Sequence, residues 1–452
     1  MKPAIRPSYT LPADSLGFAL VRAAEVIAAV ISGRSLDAAL TACWQAHEFS
    51  PSQRGAVQDL SYGALRQYGR GDFILARLLR TPLQENNDKP LLRALLLAAL
   101  YRLETRPADA HTTVDQAVDA AAAIEQGRFK ALANAVLRNR LRREAELLAA
   151  ANADAVALHQ HPRWWIDKIR AAYPEHWQSI LAVDNTHPPM TLRVNRRRLD
   201  AAAYLALLDA AGIGARLLAE NEYAILLERP QAVDKLPGFF DGLASVQDWG
   251  AQRAAPLLDA QAGMRVLDAC AAPGGKAMHL LELADVDLLA LDAEPTRIVR
   301  IKENLERLDL HAQVKAADCR ALESWWDGRA FQRIIADVPC SASGVVRRHP
   351  DGKWLRRATD VAGFVRVQAE IIDALWRVLA PGGKMLYCTC SLFPEENELQ
   401  LAAFAARHAD ATRLAISGAG AEEDAPQRRQ QWQLVPQAEH DGFYYALLQK
   451  QD

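Results

Sequence analysis

The run Val266-Leu267-Asp268-Ala269-Cys270-Ala271-Ala272-Pro273-Gly274-Gly275-Lys276 constrains this chain more than any other segment. An apolar, strand-like stretch meets a proline and two glycines, then opens into helical sequence from Ala277 to Leu283. Strand, tight turn and helix in that order start a βαβ unit, because parallel strands need a crossover. Strands are expected at Arg265 to Asp268, Leu288 to Asp292, Ala312 to Lys315, Arg333 to Ala336 and Lys384 to Cys388, with helices between them. This alternation predicts an α/β fold, a doubly wound Rossmann-like sheet over residues 256–452. Ligands of such sheets bind in the crevice at the carboxyl ends of the strands.

At 452 residues the chain exceeds what one core organises. Leu16, Leu20, Ala24, Ile27 and Ile31 recur at steps of three and four, after Asp14 or Ser15 as a possible cap and before Gly33 as a stop. The same helical period marks Gln53 to Tyr68, Leu91 to Leu103 behind Pro90, Val114 to Ile124 and Phe129 to Leu148. Residues 1–148 are therefore read as an all-α domain. Residues 149–255 are read as linker helices and a small α/β subdomain, with strands at Met190 to Asn195 and Tyr223 to Leu227 and a helix from Asp200 to Ala211 closed by Gly212.

The 50% hydrophobic and 24% charged composition is that of a globular protein, without a long apolar run or an apolar signal core near Met1. A cytosolic monomer is expected, bound neither to membrane nor to metal. Six cysteines are too few for a disulfide framework and none forms a Cys-x-x-Cys pair. Residues 1–150 carry 19 Lys/Arg against 15 Asp/Glu, and the remainder carries 34 against 40. Basic residues cluster at Arg138-Asn139-Arg140-Leu141-Arg142-Arg143, at Arg193 with Arg196-Arg197-Arg198, and at Arg347-Arg348-His349. Such clusters suit a polyanion, although each alone also fits a solvated helix end or loop.

The glycine turn lets backbone approach a ligand, and the free N–H groups at the helix start favour a carboxylate or phosphate. The turn by itself does not separate nucleotides from S-adenosylmethionine, but it matches neither G-x-G-x-x-G nor the P-loop spacing. Asp292 ends the next strand, where an acid accepts hydrogen bonds from ribose hydroxyls. Asp318 ends the third, at a height suited to an adenine amino group. A single strand-end aspartate is as often a cap, whereas three in succession point to a ligand.

Asp337-Val338-Pro339-Cys340 follows one buried strand and Cys388-Thr389-Cys390-Ser391 the next. Neighbouring carboxyl ends share one crevice, so Cys340 and Cys390 are expected to face the same cavity. Free cysteines are ordinarily small core hydrophobes, and Cys43, Cys319 and Cys388 are read that way.

In combination, Asp268 to Lys276, Asp337 to Cys340 and Cys388 to Ser391 with Pro394-Glu395-Glu396-Asn397 resemble the motifs of RNA cytosine-5 methyltransferases. The stretch from Cys340 to Arg357, with Arg347-Arg348-His349-Pro350-Asp351 and Lys353-Trp354-Leu355, is similar to the bacterial members that act on small-subunit (16S) ribosomal RNA. Those members place a helical domain similar to the antitermination factor NusB ahead of the catalytic domain, and residues 1–145 suit it. The resemblance implies S-adenosyl-L-methionine as cofactor, touched by Cys270, Ala271, Ala272, Pro273, Gly274, Gly275, Lys276, Asp292, Asp318 and Asp337. It implies Cys390 as nucleophile, Cys340 as the residue that assists product release, and 16S ribosomal RNA as partner. Ala277-Met278 stands where the family favours threonine, and Gly352 where a bulkier residue is usual.

Carbon 5 of cytosine is a poor nucleophile until a thiolate adds to carbon 6 and makes an enamine of the ring. A carboxylate near N3 steadies the pyrimidine, and Asp337 is the candidate. Exocyclic-amine methyltransferases end the equivalent strand in Asp/Asn-Pro-Pro-aromatic, whereas a cysteine takes the aromatic's place here. The same chemistry on another RNA such as tRNA stays open. So does a non-catalytic NusB-like RNA-binding or antitermination protein on a degenerate fold.

Overall fold

The computed structural model describes residues 10–80, 90–218, 222–416 and 430–451. Two compact units emerge, Met1–Thr186 with Val346–Arg357, and His187–Val345 with Ala358–Asp452.

The described residues of the first unit form helices and no strand. Ser15 caps Leu16–Ile31 by accepting from the Phe18 N–H at 3.1 Å, and Ser50 with Gln53 forms a capping box at the start of Pro51–Arg66. Each such cap contributes about 1 kcal/mol by satisfying a donor the helix leaves open. Pro90 begins Pro90–Thr105, where its missing N–H costs nothing. The apolar faces of these helices meet in one core around Leu20, Ile27, Leu95 and Leu137. The single helix expected from Phe129 to Leu148 is instead two, Lys130–Arg142 and Glu144–Ala153, broken at Arg143. The break turns Leu147 and Ala151 into the core, so burial overrides continuity of the helical period. Helices Leu36–Ala46 and Tyr68–Leu78 lay outside the sequence expectation.

The segment Val346–Arg357 packs within this first unit. Leu36 N–H donates to Asp351, Trp354 Nε1 donates to the Leu65 carbonyl, and fully buried Lys353 donates to the Arg66 carbonyl at 3.1 Å and to Asn185 Oδ1 at 2.7 Å. Burial lowers the Lys353 ammonium to about 7 against the opposing pull of Asp184.

In the second unit, strands β1 (Thr191–Val194), β2 (Ala215–Leu217), β3 (Ala224–Leu227) and β4 (Ala244–Val246) form an antiparallel sheet in the order β2-β3-β1-β4. The intervening helix Ala201–Ala210 starts at Asp200, whose carboxylate accepts from the Ala203 N–H at 2.7 Å. The large sheet comprises β5 (Arg265–Asp268), β6 (Asp287–Asp292), β7 (Gln313–Ala316), β8 (Phe331–Asp337), β9 (Leu379–Thr389), β10 (Ala411–Leu414), β11 (Trp432–Leu434) and β12 (Phe443–Lys450). Its order is β10-β12-β9-β8-β5-β6-β7, with β11 on β12. Strands β5 to β9 run parallel, while β12 lies antiparallel to β9 and β10 antiparallel to β12. The strand order reverses at β5 and β8, which creates the crevice where such sheets bind ligands. Strands β10, β11 and β12 lay outside the sequence expectation; Phe443 to Leu448 is buried throughout, so it shows no alternation to read.

Among the described residues no helix is long and apolar enough to cross a membrane, and no group of three His, Cys, Asp or Glu is placed to hold a metal ion.

Candidate active site

Strands β5, β6 and β8 end in Asp268, Asp292 and Asp337, so three carboxylates meet around the turn from Cys270 to Lys276. The turn is pinned from several sides. Ala271 N–H donates to the Leu291 carbonyl at 2.7 Å, Ala272 N–H to Asp292 Oδ2 at 3.1 Å, and Asn304 Nδ2 to the Pro273 carbonyl at 3.1 Å. Arg297 donates to the Ala272 carbonyl at 2.6 Å and pairs with Asp292 at 3.4 Å. Gly274 has φ +104°, a left-handed conformation that strains any residue with a Cβ, and it opens the helix Gly275–Leu283. Cys270 lies in this loop with its thiol hydrogen-bonded to that of Cys319, and that hydrogen bond together with burial raises it well above the usual thiol range.

Lys276 Nζ meets Asp337 Oδ2 at 2.5 Å. Burial alone would depress this ammonium, but the Asp337 carboxylate lifts it well above the lysine range. Asp318 lies just past β7, held by the Arg320 guanidinium at 2.7 Å, which keeps its carboxyl below the usual range. Asp292 is buried and Asp268 is 1% exposed. Apart from a weak approach by the Cys270 backbone N–H, no donor meets either Asp268 oxygen among the described residues. Burial first, and then Asp337 repulsion, push the Asp268 carboxyl up to about 7.

A buried acid without a donor costs free energy unless a ligand supplies one. S-adenosylmethionine fits these residues on chemical grounds. It brings an ammonium and a sulfonium to a cluster of carboxylates, and its ribose brings two hydroxyl donors.

The raised Asp268 value makes ligand-free stability depend on pH. The folded-state value near 7 exceeds the unfolded value near 3.8. As pH rises through that window the unfolded chain loses the proton that the folded chain keeps, so stability falls. Asp268→Asn should remove this part of the fall, read as urea midpoints of both proteins across the window. Parallel midpoint curves for wild type and variant would exclude the assignment.

The two thiols singled out in the sequence come together. Cys340 Sγ and Cys390 Sγ are 3.5 Å apart, just past the adjacent strands β8 and β9, and the Gly344 N–H donates to the Cys390 carbonyl at 2.8 Å. The hydrogen bond with Cys390, burial and the Glu396 charge hold Cys340 well above the usual thiol range. Cys388 and Cys319 are buried, as is Cys43 in the first unit, but Cys388 donates its thiol to Asp337 Oδ1 at 3.6 Å and Cys319 meets the Cys270 thiol.

The basic clusters need a correction. Arg140, Arg193 and Arg347 are each 1% exposed, so each cluster gives one cation to the interior. Arg140 pairs with Glu144 at 2.9 Å, and Arg193 grips Glu282 through two bonds of 2.8 and 2.7 Å. Arg143 pairs with Glu146, Arg197 with Asp285 and Arg198 with Asp309. Two functional groupings escaped the sequence reading, the Arg193–Glu282 pair and the contacts of Glu396. The Pro-Glu-Glu-Asn run was the only signal for the second, and nothing local marked the first.

Comparisons with known proteins agree with this geometry. Residues 255–449 match the 16S rRNA methyltransferase RsmB/F model, residues 161–234 the ferredoxin-like domain of RsmF/B-like methyltransferases, and residues 19–142 the NusB family. The ribosomal RNA small subunit methyltransferase B of Pseudomonas putida is 45% identical over 432 residues, covering 95% of this chain and 97% of its own. That of Vibrio cholerae is 43% identical, covering 96% and 99%. The crystal structure of PH0851 shares the fold, with a TM-score of 0.79 over 98% of this chain and 99% of its own at 21% identity. With a paired-thiol crevice, a NusB match over residues 19–142 and such identity along nearly its whole length, the chain belongs to the RsmB/F family of 16S rRNA methyltransferases.

Proposed function

We propose that this protein methylates carbon 5 of a cytosine in 16S ribosomal RNA through a covalent bond between Cys390 and carbon 6. The observation that carries the reading is the pair of thiols 3.5 Å apart at the ends of adjacent parallel strands, beside the carboxylate-lined turn. The family's cofactor, S-adenosylmethionine, supplies an electrophilic methyl group when bound. Cys390 adds as thiolate to carbon 6 while N3 takes a proton, which gives carbon 5 the nucleophilic character it lacks. After methylation the carbon 5 proton leaves to a base, the C6–S bond breaks to return the Cys390 thiolate, and N3 gives up the proton it took. Cys340 stands beside that sulfur to assist this release. Cys270 to Lys276 with Asp292, Asp318 and Asp337 hold the cofactor, and Asp337, paired with Lys276, lies near the reacting atoms. Residues 1–148 serve as the RNA-binding helical domain.

Methylation of 16S RNA by purified protein, followed by nucleoside mass spectrometry and bisulfite sequencing, tests the reading. Expected is 5-methylcytosine at one position; label on an exocyclic nitrogen, or label only on transfer RNA, overturns it. A second expectation concerns the cofactor. Asp292→Ala should weaken S-adenosylmethionine binding by about 1–3 kcal/mol, because a charge-assisted acceptor is lost and the Ala272 N–H loses its partner. Calorimetry reads this directly, and unchanged affinity in the folded variant removes Asp292 from the site.

A further inference from the structure

We propose that Glu396 is a positioning residue that clasps the loop of Cys340 to the loop of Cys390, holding both thiols side by side at one reacting base. The proposal rests on the reading of these cysteines as the reacting pair. Glu396 is fully buried, yet its carboxylate accepts four hydrogen bonds. Ser341 gives two, its N–H at 2.8 Å and its hydroxyl at 2.6 Å, and it is the residue after Cys340. Ser391 gives one from its hydroxyl at 2.5 Å, and it is the residue after Cys390. Gln368 gives the fourth at 3.1 Å and also donates to the Pro339 carbonyl at 2.9 Å, before Cys340. One carboxylate thus ties the residues that flank both thiols.

The clasp is itself held. Tyr387 on β9 donates its hydroxyl to the Glu396 carbonyl at 2.6 Å, and the next residue, Asn397, accepts from Thr389 at 2.6 Å and donates to the Ser391 carbonyl at 2.8 Å. Ser343 braces the same network, meeting the Ser341 and Ser391 hydroxyls and accepting from the Leu392 N–H at 2.7 Å. Apart from these side chains, the bond from Gly344 to the Cys390 carbonyl links the two loops. A buried carboxylate is expensive, and full saturation by donors from both loops offsets that cost only while the loops stay together.

The test reads thiol geometry separately from methyl transfer. Phenylarsine oxide releases water as its arsenic closes on two neighbouring thiols, and Cys340→Ala and Cys390→Ala should each remove one equivalent from what the wild type binds, apart from any taken by Cys270 with Cys319. Glu396→Ala should weaken this bridging and lower kcat by about a hundredfold, with KM for S-adenosylmethionine changed by less than about threefold. Glu396→Gln, whose amide keeps an acceptor for the Ser341 N–H and donates to the hydroxyls, should restore both to within about tenfold of wild type. If Glu396→Ala does not fold, Ser341→Ala and Ser391→Ala carry the test, each losing about tenfold in bridging and kcat. Normal bridging and kcat in folded Glu396→Ala, or in both serine variants, overturn the proposal. Failure of the cytosine reading would leave the arsenical result intact, so the two failures are told apart.

Discussion

Cys390→Ala is expected to abolish methyl transfer, with a loss of about a thousandfold or more, equivalent to at least about 4 kcal/mol of barrier. Cofactor binding should survive, since the turn and its carboxylates Asp268, Asp292 and Asp337 sit at the ends of β5, β6 and β8, not on the Cys390 loop. No covalent RNA adduct should form. Cys340→Ala should behave differently, because its thiol is needed after attack rather than for it. That variant should accumulate a denaturation-resistant band of protein joined to methylated RNA, and the double variant should lose the band. Separation of these outcomes is demanding because the sulfurs are 3.5 Å apart and either is close enough to attack. The hydrogen bond with Cys390, burial and the Glu396 charge raise Cys340 above the usual thiol range, so the trapped band and not the distance separates the two roles. Appearance of the trapped band with Cys390→Ala instead would exchange the roles while leaving the reaction class intact.

Those two cysteines were legible because the signal is local. A buried strand ending in Pro-Cys, and a neighbour ending in Thr-Cys, meet at one crevice by the rules of a parallel sheet, without knowledge of any distant residue. The glycine turn was legible for the same reason, and so was the helical character of the first unit. Whatever depends on a distant partner was not. Arg193 sits in a visible cluster with Arg196 to Arg198, yet it is interior because Glu282, 89 residues away, meets it there. Arg140 and Arg347 are interior too, although the partner of Arg140, Glu144, is only four residues away. The helix from Phe129 had an unbroken apolar period, and only the packing of Leu147 and Ala151 shows why it breaks at Arg143. Glu396 lay within a quoted motif, but its meaning depends on Ser341, 55 residues earlier.

The Arg193–Glu282 pair should be the most sensitive structural contact outside the thiol crevice. Arg193 on β1 belongs to the small antiparallel sheet, and Glu282 to the helix opened by the cofactor turn. Their side chains are 1% and 2% exposed, and the guanidinium also reaches Gln247 and donates to the Gly275 carbonyl at 2.9 Å. Removing one partner leaves a buried charge alone, so Glu282→Ala should cost about 3–5 kcal/mol of stability, and Arg193→Ala a similar amount. An apolar pair of similar volume, Arg193→Met with Glu282→Leu, should recover much of that loss, because neither charge then stays buried. The small sheet should loosen its hold on the turn in all three variants. Arg193→Ala should therefore weaken S-adenosylmethionine binding even where the protein stays folded, whereas a contact that matters to stability alone would leave affinity unchanged in the folded fraction. Urea unfolding and calorimetry on the four proteins separate these effects. Losses below about 1 kcal/mol for both single variants would show that solvent, not the partner, satisfies these charges.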